Sequence, residues 1–224
     1  MEQDELQMSL FDDESSQTVE KPESLEDIIN YAAENEESIS ATEYVNELAV
    51  YASSINVDFN RVHFKKCSFE NCDFSRASFI DCEFTDCSFK ECVFSDGYFK
   101  ETSLIHCSAN GCKFERVLFR NSDIRGGYYK YANFCDSTFE NSRISSASLS
   151  ESALIQVKLK KTKFSEVDFS KADLLGTILK GIDLSDCNIS GILLSDNLRE
   201  LKGAKINTLQ AAQIVRLLDI VVVI

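Results

Sequence analysis

The residues in this sequence with the greatest capacity for chemistry are its nine cysteines. In the stretch KKCSFENCDF, Lys65–Phe74, two of them stand five residues apart. Thiols at this density can ligate a metal, form disulfides or act as redox switches. The sequence contains no CxxC pair, and the spacing matches no zinc-ligand hairpin, so metal ligation is disfavoured. The acidic N-terminus, MEQDELQMSL, has no basic region leading into an apolar one, which indicates a cytoplasmic protein with reduced thiols.

The cysteines follow a period of five that governs most of the chain. Counted in fives from Phe59 to Leu194, 28 positions hold fifteen Phe, eight Leu, three Ile, Tyr129 and Ala109. Two residues before each of these stands a small or β-branched residue, and eight of the nine cysteines fall in this class. A period of five fits neither a helix nor a flat strand, but it fits a square coil in which each pentapeptide forms one side. The large and the small residue then face the axis, and the other three face water.

This pattern resembles the pentapeptide-repeat family, whose motif is A-(D/N)-L-x-x. ADLLG at Ala172–Gly176 and ASFID at Ala77–Asp81 match the motif as they stand. The resemblance covers roughly residues 57–196 and implies an all-β fold, a right-handed quadrilateral β-solenoid of about seven coils. Cysteine takes the place of the family's alanine as a small, mildly apolar residue. The expected core includes Phe64, Phe69, Phe74, Phe79, Phe84, Phe89, Phe94, Cys67, Cys72, Cys82, Cys87 and Cys92.

The same geometry bears on thiol reactivity. Cysteines on successive coils would stack ~4.8 Å apart, which exceeds the usual Cβ separation of a disulfide. Cys135 directly follows Phe134 and is directed outward, so it is the one thiol that we expect to react readily. Tyr129 and Ala109 mark the positions where the solenoid is expected to be irregular.

The two ends of a solenoid need caps, because they expose apolar interior and unpaired strand edges. Residues 24–56 predict a helical cap, since SLEDIINYAA and SATEYVNELAVYA each combine a capping-box start with an amphipathic stripe. An alternative is that these helices dock a partner. Residues 197–224 predict a helix from Asn207 to about Leu218 and then a short strand, Ile220–Ile224. Such an apolar end is best buried against a second copy, so we expect a homodimer interface. It comprises Leu217, Leu218, Ile220, Val221, Val222, Val223 and Ile224.

The C-terminal segment LKGAKINTLQAAQIVRLLDI, Leu201–Ile220, resembles that of the quinolone-resistance (Qnr and MfpA) branch of the family. The resemblance implies tail-to-tail dimers and binding to type II topoisomerases such as DNA gyrase by imitation of DNA. The distribution of charge along this chain differs from that expected of a DNA mimic. The net charge of −14 lies in residues 1–56, whereas residues 57–224 hold 22 basic and 22 acidic side chains. We therefore expect no strong gyrase inhibition, because a DNA mimic needs a continuous acidic surface.

Residues 1–23 form an acidic, polar tail that predicts disorder. Within this tail, QMSLF (Gln7, Met8, Ser9, Leu10 and Phe11) resembles the bacterial sliding-clamp-binding peptide Q-L-(S/D)-L-F. The resemblance implies that the Gln side chain binds at a pocket rim while Leu10 and Phe11 fill an apolar cleft. The alternative is that Leu10 and Phe11 fold back onto the helical cap.

No catalytic constellation accompanies these features. His63 and His106 are outward-facing on different coils, and no glycine-rich phosphate loop or zinc spacing occurs. No apolar run approaches the ~20 residues that span a bilayer. We therefore expect a non-enzymatic homodimer without cofactor, metal, membrane or direct nucleic-acid binding, which binds a bacterial protein of DNA metabolism, either gyrase or topoisomerase or the sliding clamp. The alternative is a structural scaffold with no DNA-related role.

Overall fold

The protein is a β-solenoid with one helix before it and one after it. The computed structural model describes residues 24–218 and residue 220. The helices are α1, Leu25–Glu34, and α2, Thr208–Arg216, and a short 3-10 helix spans Arg199–Leu201. The strands are β1 Ile39–Val45, β2 Leu48–Val50, β3 Asp58–Lys65, β4 Ser68–Glu70, β5 Ser78–Ile80, β6 Glu83–Thr85, β7 Ser88–Lys90, β8 Tyr98–Lys100, β9 Ser103–Ile105, β10 Leu118–Arg120, β11 Asp123–Arg125, β12 Thr138–Glu140, β13 Arg143–Ser145, β14 Lys158–Lys160 and β15 Lys163–Ser165.

All strand pairs are parallel and join residues twenty positions apart, so four pentapeptides complete one coil. We call the sides that carry Phe59, Phe64, Phe69 and Phe74 faces 1 to 4. Faces 1 and 2 form one twelve-stranded sheet, because β3 runs across the corner between them. Face 3 begins with the sheet β2-β4-β7, and face 4 is a ladder of single bridges that starts at Ser53 and Asp73. The predicted four-sided β-solenoid is confirmed.

The interior consists of columns of apolar side chains, one column per face. In face 2, the rings of Phe64 and Phe84 stack with centroids 4.8 Å apart and planes 10° apart. Rings on adjacent faces meet edge to face, as Phe84 and Phe89 do at 5.6 Å. Burying each ring contributes ~1.5–3 kcal/mol, and offset ring pairs add about 0.5–1.5 kcal/mol. All twelve residues named above as the expected core are at most 3% exposed.

The corners explain the polar fifth residue of each repeat. The residue two places after each large core residue has a positive φ at almost every corner, for example Asn56 at 63° and Asp96 at 61°. Left-handed backbone strongly disfavours β-branched residues, whereas Asn, Asp and Gly adopt it readily. No Val, Ile or Thr occurs among the positive-φ residues of the part of the chain that the structure describes. The sequence thus encodes a turn at each corner as well as an inward pair on each side.

The prediction of a second N-terminal helix is wrong. SATEYVNELAVYA forms β1 and β2, which pair with β3 and β4, so the solenoid already begins at Ile39. The stripe of apolar residues has helical spacing, but Ile39 and Tyr44 also continue the period of five. Parallel pairing with the exposed edge of the next coil outweighs helix propensity here, and Tyr44 stacks on Phe64 at 5.4 Å.

The first predicted helix is present as α1 and covers the open end of the first coil. Ser24 caps it, since its Oγ accepts from the backbone N–H of Asp27. Leu25, Ile29 and Ala32 are buried. Glu26 and Asn30 also accept hydrogen bonds from backbone N–H groups of the first coil, those of Val50 and Ser53. The helix therefore shields apolar interior and satisfies part of the free strand edge.

Candidate interaction surfaces

The inward thiols do more than fill space, because they donate hydrogen bonds to the preceding coil. Cys82 Sγ lies 3.3 Å from the carbonyl oxygen of Phe59, and Cys87 Sγ lies 3.3 Å from that of Phe64. Thr102 and Ser122 occupy the same position and donate in the same way, to the carbonyls of Phe79 and Phe99. The same bond is made by Cys67, Cys72, Cys92, Cys107, Cys112, Ser142 and Thr162. The sequence analysis missed this role, although the exchange of Cys with Ser and Thr at one position was visible.

The surroundings of six of the eight inward thiols raise their pKa, whereas hydrogen bonds with Cys87 and Cys92 lower the pKa of Cys107 and Cys112. All nine cysteines are free, and eight are buried. Burial raises the pKa of Cys82 to about 11, and a hydrogen bond with Cys107, the next thiol in its column, is the main cause that raises the pKa of Cys87 to about 12. Cys135 is only partly buried, although burial raises its pKa as well. Its solvent access distinguishes it from the other eight thiols.

Tyr129 is the one irregular ring of the core. It replaces phenylalanine directly above Ala109 on face 3, and it is 0% exposed. Its hydroxyl has no hydrogen-bond partner. Burial, followed by the nearby thiols Cys107 and Cys112, raises the pKa of Tyr129 well above its usual value. The small side chain of Ala109 leaves space for the larger tyrosine, but nothing there satisfies its oxygen.

The interior of the described solenoid is filled with side chains, and the gap found between them is too small for a ligand. An apolar gap between Leu154 and Phe164 has a volume of about 10 Å³, which is the size of a single water molecule. The lining of this gap is therefore packed by its own apolar side chains. Within residues 24–218 and 220, no group of three or more His, Cys, Asp or Glu side chains could hold a metal ion. Over the same residues, no helix is both long and apolar enough to cross a membrane.

Several outer charges form salt bridges between coils. Arg116 donates to both carboxylate oxygens of Asp96, at 2.6 and 2.8 Å, and this pairing lowers the pKa of Asp96. Arg120 Nη2 lies 3.0 Å from Glu140 Oε2. In both pairs, the partners stand one coil apart. Exposed pairs of this kind contribute little stability, but each places a positive charge beside a negative one on the outer surface.

A groove crosses the corner between faces 2 and 3, and it was not found from the sequence. Its volume is about 370 Å³. Gly127 lies in its lining, and Gly126 directly precedes it. The lining includes His106, Tyr128, Ser146, Ser148, Glu166 and Asp168. The GGYYKY stretch, residues 126–131, was the available signal, because it interrupts the repeat composition with two glycines and three tyrosines.

The predicted dimer residues lie partly within the described structure. Leu217, Leu218 and Ile220 are exposed to between 46% and 50%. Val221, Val222, Val223 and Ile224 lie outside the described residues, as do Gln7, Met8, Ser9, Leu10 and Phe11. The structure therefore presents an uncovered apolar edge at the end of α2 but leaves the dimer and the tail motif as predictions.

Two polar residues that the sequence analysis missed attach the C-terminal segment to the solenoid. The Gln210 side chain is buried and donates to the carbonyls of Leu184 and Cys187, both at 2.7 Å. Burial would raise the pKa of Glu200, but hydrogen bonds from Ser195 and from the N–H of Gly176 outweigh it and lower the pKa to about 2. These fully bonded groups hold α2 and the 3-10 helix against the last coil. They are structural and show no catalytic arrangement.

Two family models match the sequence, and both describe the period seen in the structure. One, described as pentapeptide repeats in eight copies, covers residues 58–96, and the other, described as a pentapeptide repeat region, covers residues 112–194. Together they match more than half of the chain. The chain belongs to the pentapeptide-repeat family. No curated protein sequence matches this pentapeptide-repeat protein.

Several solved structures are similar to this pentapeptide-repeat protein. QnrB1, a plasmid-mediated fluoroquinolone resistance protein, is 19% identical with a TM-score of 0.41, over 82% of this chain and 100% of its own. HetL, involved in heterocyst differentiation regulation in the cyanobacterium Nostoc sp. strain PCC 7120, is 13% identical with a TM-score of 0.32, over 81% and 96%. Rfr23 from the cyanobacterium Cyanothece 51142 is 11% identical with a TM-score of 0.37, over 80% and 98%.

Proposed function

We propose that this protein is a non-enzymatic, homodimeric interaction module that binds a protein of DNA metabolism in the bacterial cytoplasm. The observation that carries the proposal is the filled interior of the solenoid, since side chains packed at the axis leave only the outer surface and the termini for binding. A rigid rod with a docking peptide at one end is suited to hold two proteins at a fixed separation.

The sliding clamp is the first candidate partner, and Gln7–Phe11 is the segment that would bind it. Leu10 and Phe11 are the only adjacent apolar anchors in residues 1–23, and an apolar pair in an acidic segment has no evident role in the core. A short peptide loses conformational entropy on binding, so we expect micromolar affinity for one tail. A dimer would present two tails to one ring and bind more tightly.

Calorimetry with a purified bacterial sliding clamp tests the tail directly. A peptide of residues 1–16 is titrated into the clamp beside a matched peptide that carries Leu10→Ala and Phe11→Ala. The proposal predicts heat from the first peptide and none from the second. Equal heats from both peptides, or none from either, would end the clamp proposal.

The exposed leucines after α2 support the second part of the proposal, the homodimer. Leu217 and Leu218 are followed by Ile220 and by four further apolar residues, and such an edge is best buried against its own copy. Sedimentation of the full chain should give a dimer, whereas a chain lacking residues 219–224 should give monomers or aggregates. An unchanged assembly state after the deletion would refute this interface.

A type II topoisomerase is the second candidate partner, and the resemblance of Leu201–Ile220 to the quinolone-resistance branch favours it. The balanced charges of residues 57–224 and the salt bridges between coils weigh against DNA mimicry. We expect no strong inhibition of DNA gyrase in a supercoiling assay. Potent inhibition that weakens with salt would show that this charge argument is wrong. If neither partner binds, the alternative of a structural scaffold is favoured.

A further inference from the structure

The groove at Gly126 and Gly127 is a local departure from an otherwise uniform surface. At every other small inward position from Val57 to Ile192 the residue is buried, but Gly127 is partly exposed. A methyl group on Gly127 would stand 2.1 Å from the carbonyl oxygen of Cys107, and one on Gly126 would stand 2.6 Å from Cδ2 of His106. Both glycines also have a positive φ, 65° and 87°. The backbone at Gly127 approaches the preceding coil so closely that only glycine fits, whereas a side chain on Gly126 would have to displace the His106 ring.

The floor and far side of the groove are rich in hydrogen-bond acceptors. Glu166 accepts from Ser146 Oγ at 2.9 Å. Asp168 Oδ1 accepts from the N–H of Ser170 at 3.0 Å and from Asn188 at 2.8 Å, which fixes the orientation of the carboxylate. Neither acid forms a salt bridge with a Lys or Arg of the described residues. His106 already lies beside Asp86, at 3.5 Å. The groove therefore offers two ordered carboxylates without a cationic partner.

One exposed aromatic side chain lines the groove. It belongs to Tyr128, which is 64% exposed, whereas Tyr131, 57% exposed, is not in the lining. Lys130, which lies between Tyr128 and Tyr131 in the sequence, already has partners. Its Nζ lies 3.1 Å from Glu151 Oε1 and 4.7 Å from the centre of the Tyr131 ring. Tyrosine is enriched among the residues that dominate binding energy at protein interfaces. An exposed tyrosine beside unpaired carboxylates provides both a stacking surface and counter-charges for a planar cation.

We propose that this groove binds an arginine side chain presented by a partner protein. Guanidinium is planar, so it stacks on the Tyr128 ring, and its fork of N–H groups suits the carboxylates of Glu166 and Asp168. An ammonium group is a more strongly hydrated point charge and gains less from the ring. The volume of about 370 Å³ accommodates one long side chain. The proposal deepens the proposed interaction function by naming the chemistry that the side of the rod recognises.

The test uses the full chain labelled with ¹⁵N and the probe Nα-acetyl-arginine methylamide. A matched probe, the citrulline analogue, has the same shape without the charge. Amide resonances of Gly126, Gly127 and Ser146 should shift saturably with the arginine probe, with a dissociation constant in the range of a few millimolar, about that of one weak contact site. The citrulline probe should shift them at least about 5-fold less at equal concentration, because it lacks the charge-assisted bonds.

Substitutions separate the groove from general surface charge. Glu166→Gln should weaken the arginine probe about 5-fold or more, because one charge-assisted bond is lost. Glu91→Gln is the matched control, since Glu91 is also a corner residue, with φ 55° against 54° at Glu166, but lies outside the groove lining. Tyr128→Ser should weaken binding as well, while Tyr131→Ser should not.

Three results would overturn the proposal: equal shifts from both probes, no saturable shift up to roughly 20 mM arginine probe, or equal effects of Glu166→Gln and Glu91→Gln. Because this experiment contains neither a clamp nor a topoisomerase, its failure is distinct from the failure of the proposed function.

Discussion

Replacing Tyr129 by phenylalanine should make this protein more stable. The Tyr129 side chain is fully buried and its hydroxyl has no hydrogen-bond partner. A buried polar group without a partner costs about 1–3 kcal/mol relative to water. Phenylalanine removes that group and leaves a gap the size of one oxygen atom beside Ala109, which offsets part of the gain. We expect Tyr129→Phe to raise the free energy of unfolding by about 1–2 kcal/mol.

Urea denaturation followed by far-UV circular dichroism measures this gain, and thermal denaturation provides a second readout. For a chain of this size, 1 kcal/mol corresponds to about 2–4 °C in Tm. Tyr128→Phe is the matched control, because its hydroxyl is on an exposed side chain and its removal should change the stability by less than about 0.5 kcal/mol. A loss of 1 kcal/mol or more in Tyr129→Phe would refute the reasoning, since it would mean that the hydroxyl is bonded to the thiols of Cys107 or Cys112.

Three further predictions concern the thiols and the rings of the core. Burial is the main cause that raises the pKa of Cys82 to about 11 and that of Cys187 to about 12, so both thiols stay protonated in the folded state, whereas thiols of the unfolded chain ionise near pH 9. Their stabilisation is therefore present below pH 9 and is lost as the pH rises toward 12, by on the order of 1 kcal/mol per thiol at pH 10. Flat stability in urea titrations from pH 8 to pH 10 would contradict this. Iodoacetamide should modify Cys135 first in the native protein, as read by peptide mass spectrometry, and modification of a buried cysteine at the same rate would contradict that expectation. Phe84→Ala should lower the unfolding free energy by ~3–5 kcal/mol by leaving a cavity in the ring stack, and a loss below about 1 kcal/mol would show that the column collapses around the gap.

Much of the fold could be predicted from the sequence, because residues at the same position of successive pentapeptides have nearly the same environment. From Phe59 onward the large residue is buried at every position of the period except Leu159 and Leu194, which are partly buried, so counting from Phe59 locates both the columns and the faces. The first coil, which includes residues 39–56, was not predicted as part of the solenoid because several of its inward residues do not match the repeat pattern. Glu37 and Glu47 stand at small positions, and Ala49 and Ser54 stand at large ones. Its strands form because the neighbouring coil offers them an edge, and no property of residues 39–56 alone carries that information.

The interaction surfaces could be predicted only in part. A linear motif such as Gln7–Phe11 can be recognised in the sequence because it is defined by consecutive residues. The groove depends on residues twenty positions apart, such as Tyr128, Ser148 and Asp168, which only the coiling brings into one column. Likewise, the thiols were expected to act as apolar filling, whereas their hydrogen bonds reach a carbonyl 23 residues earlier in the chain. The repeat fixes where side chains point, but partner atoms on neighbouring coils decide what those side chains do.

The central claim is that this protein binds another protein through the N-terminal tail of a dimeric rod. Binding of the purified full chain to an immobilised bacterial sliding clamp, measured by surface plasmon resonance, tests that claim most directly. Our account predicts saturable binding that is tighter than the micromolar affinity expected of one tail peptide. The chain carrying Leu10→Ala and Phe11→Ala should lose this binding while keeping its circular dichroism spectrum. Absence of binding by the unaltered chain, or equal binding by the two chains, would contradict the claim.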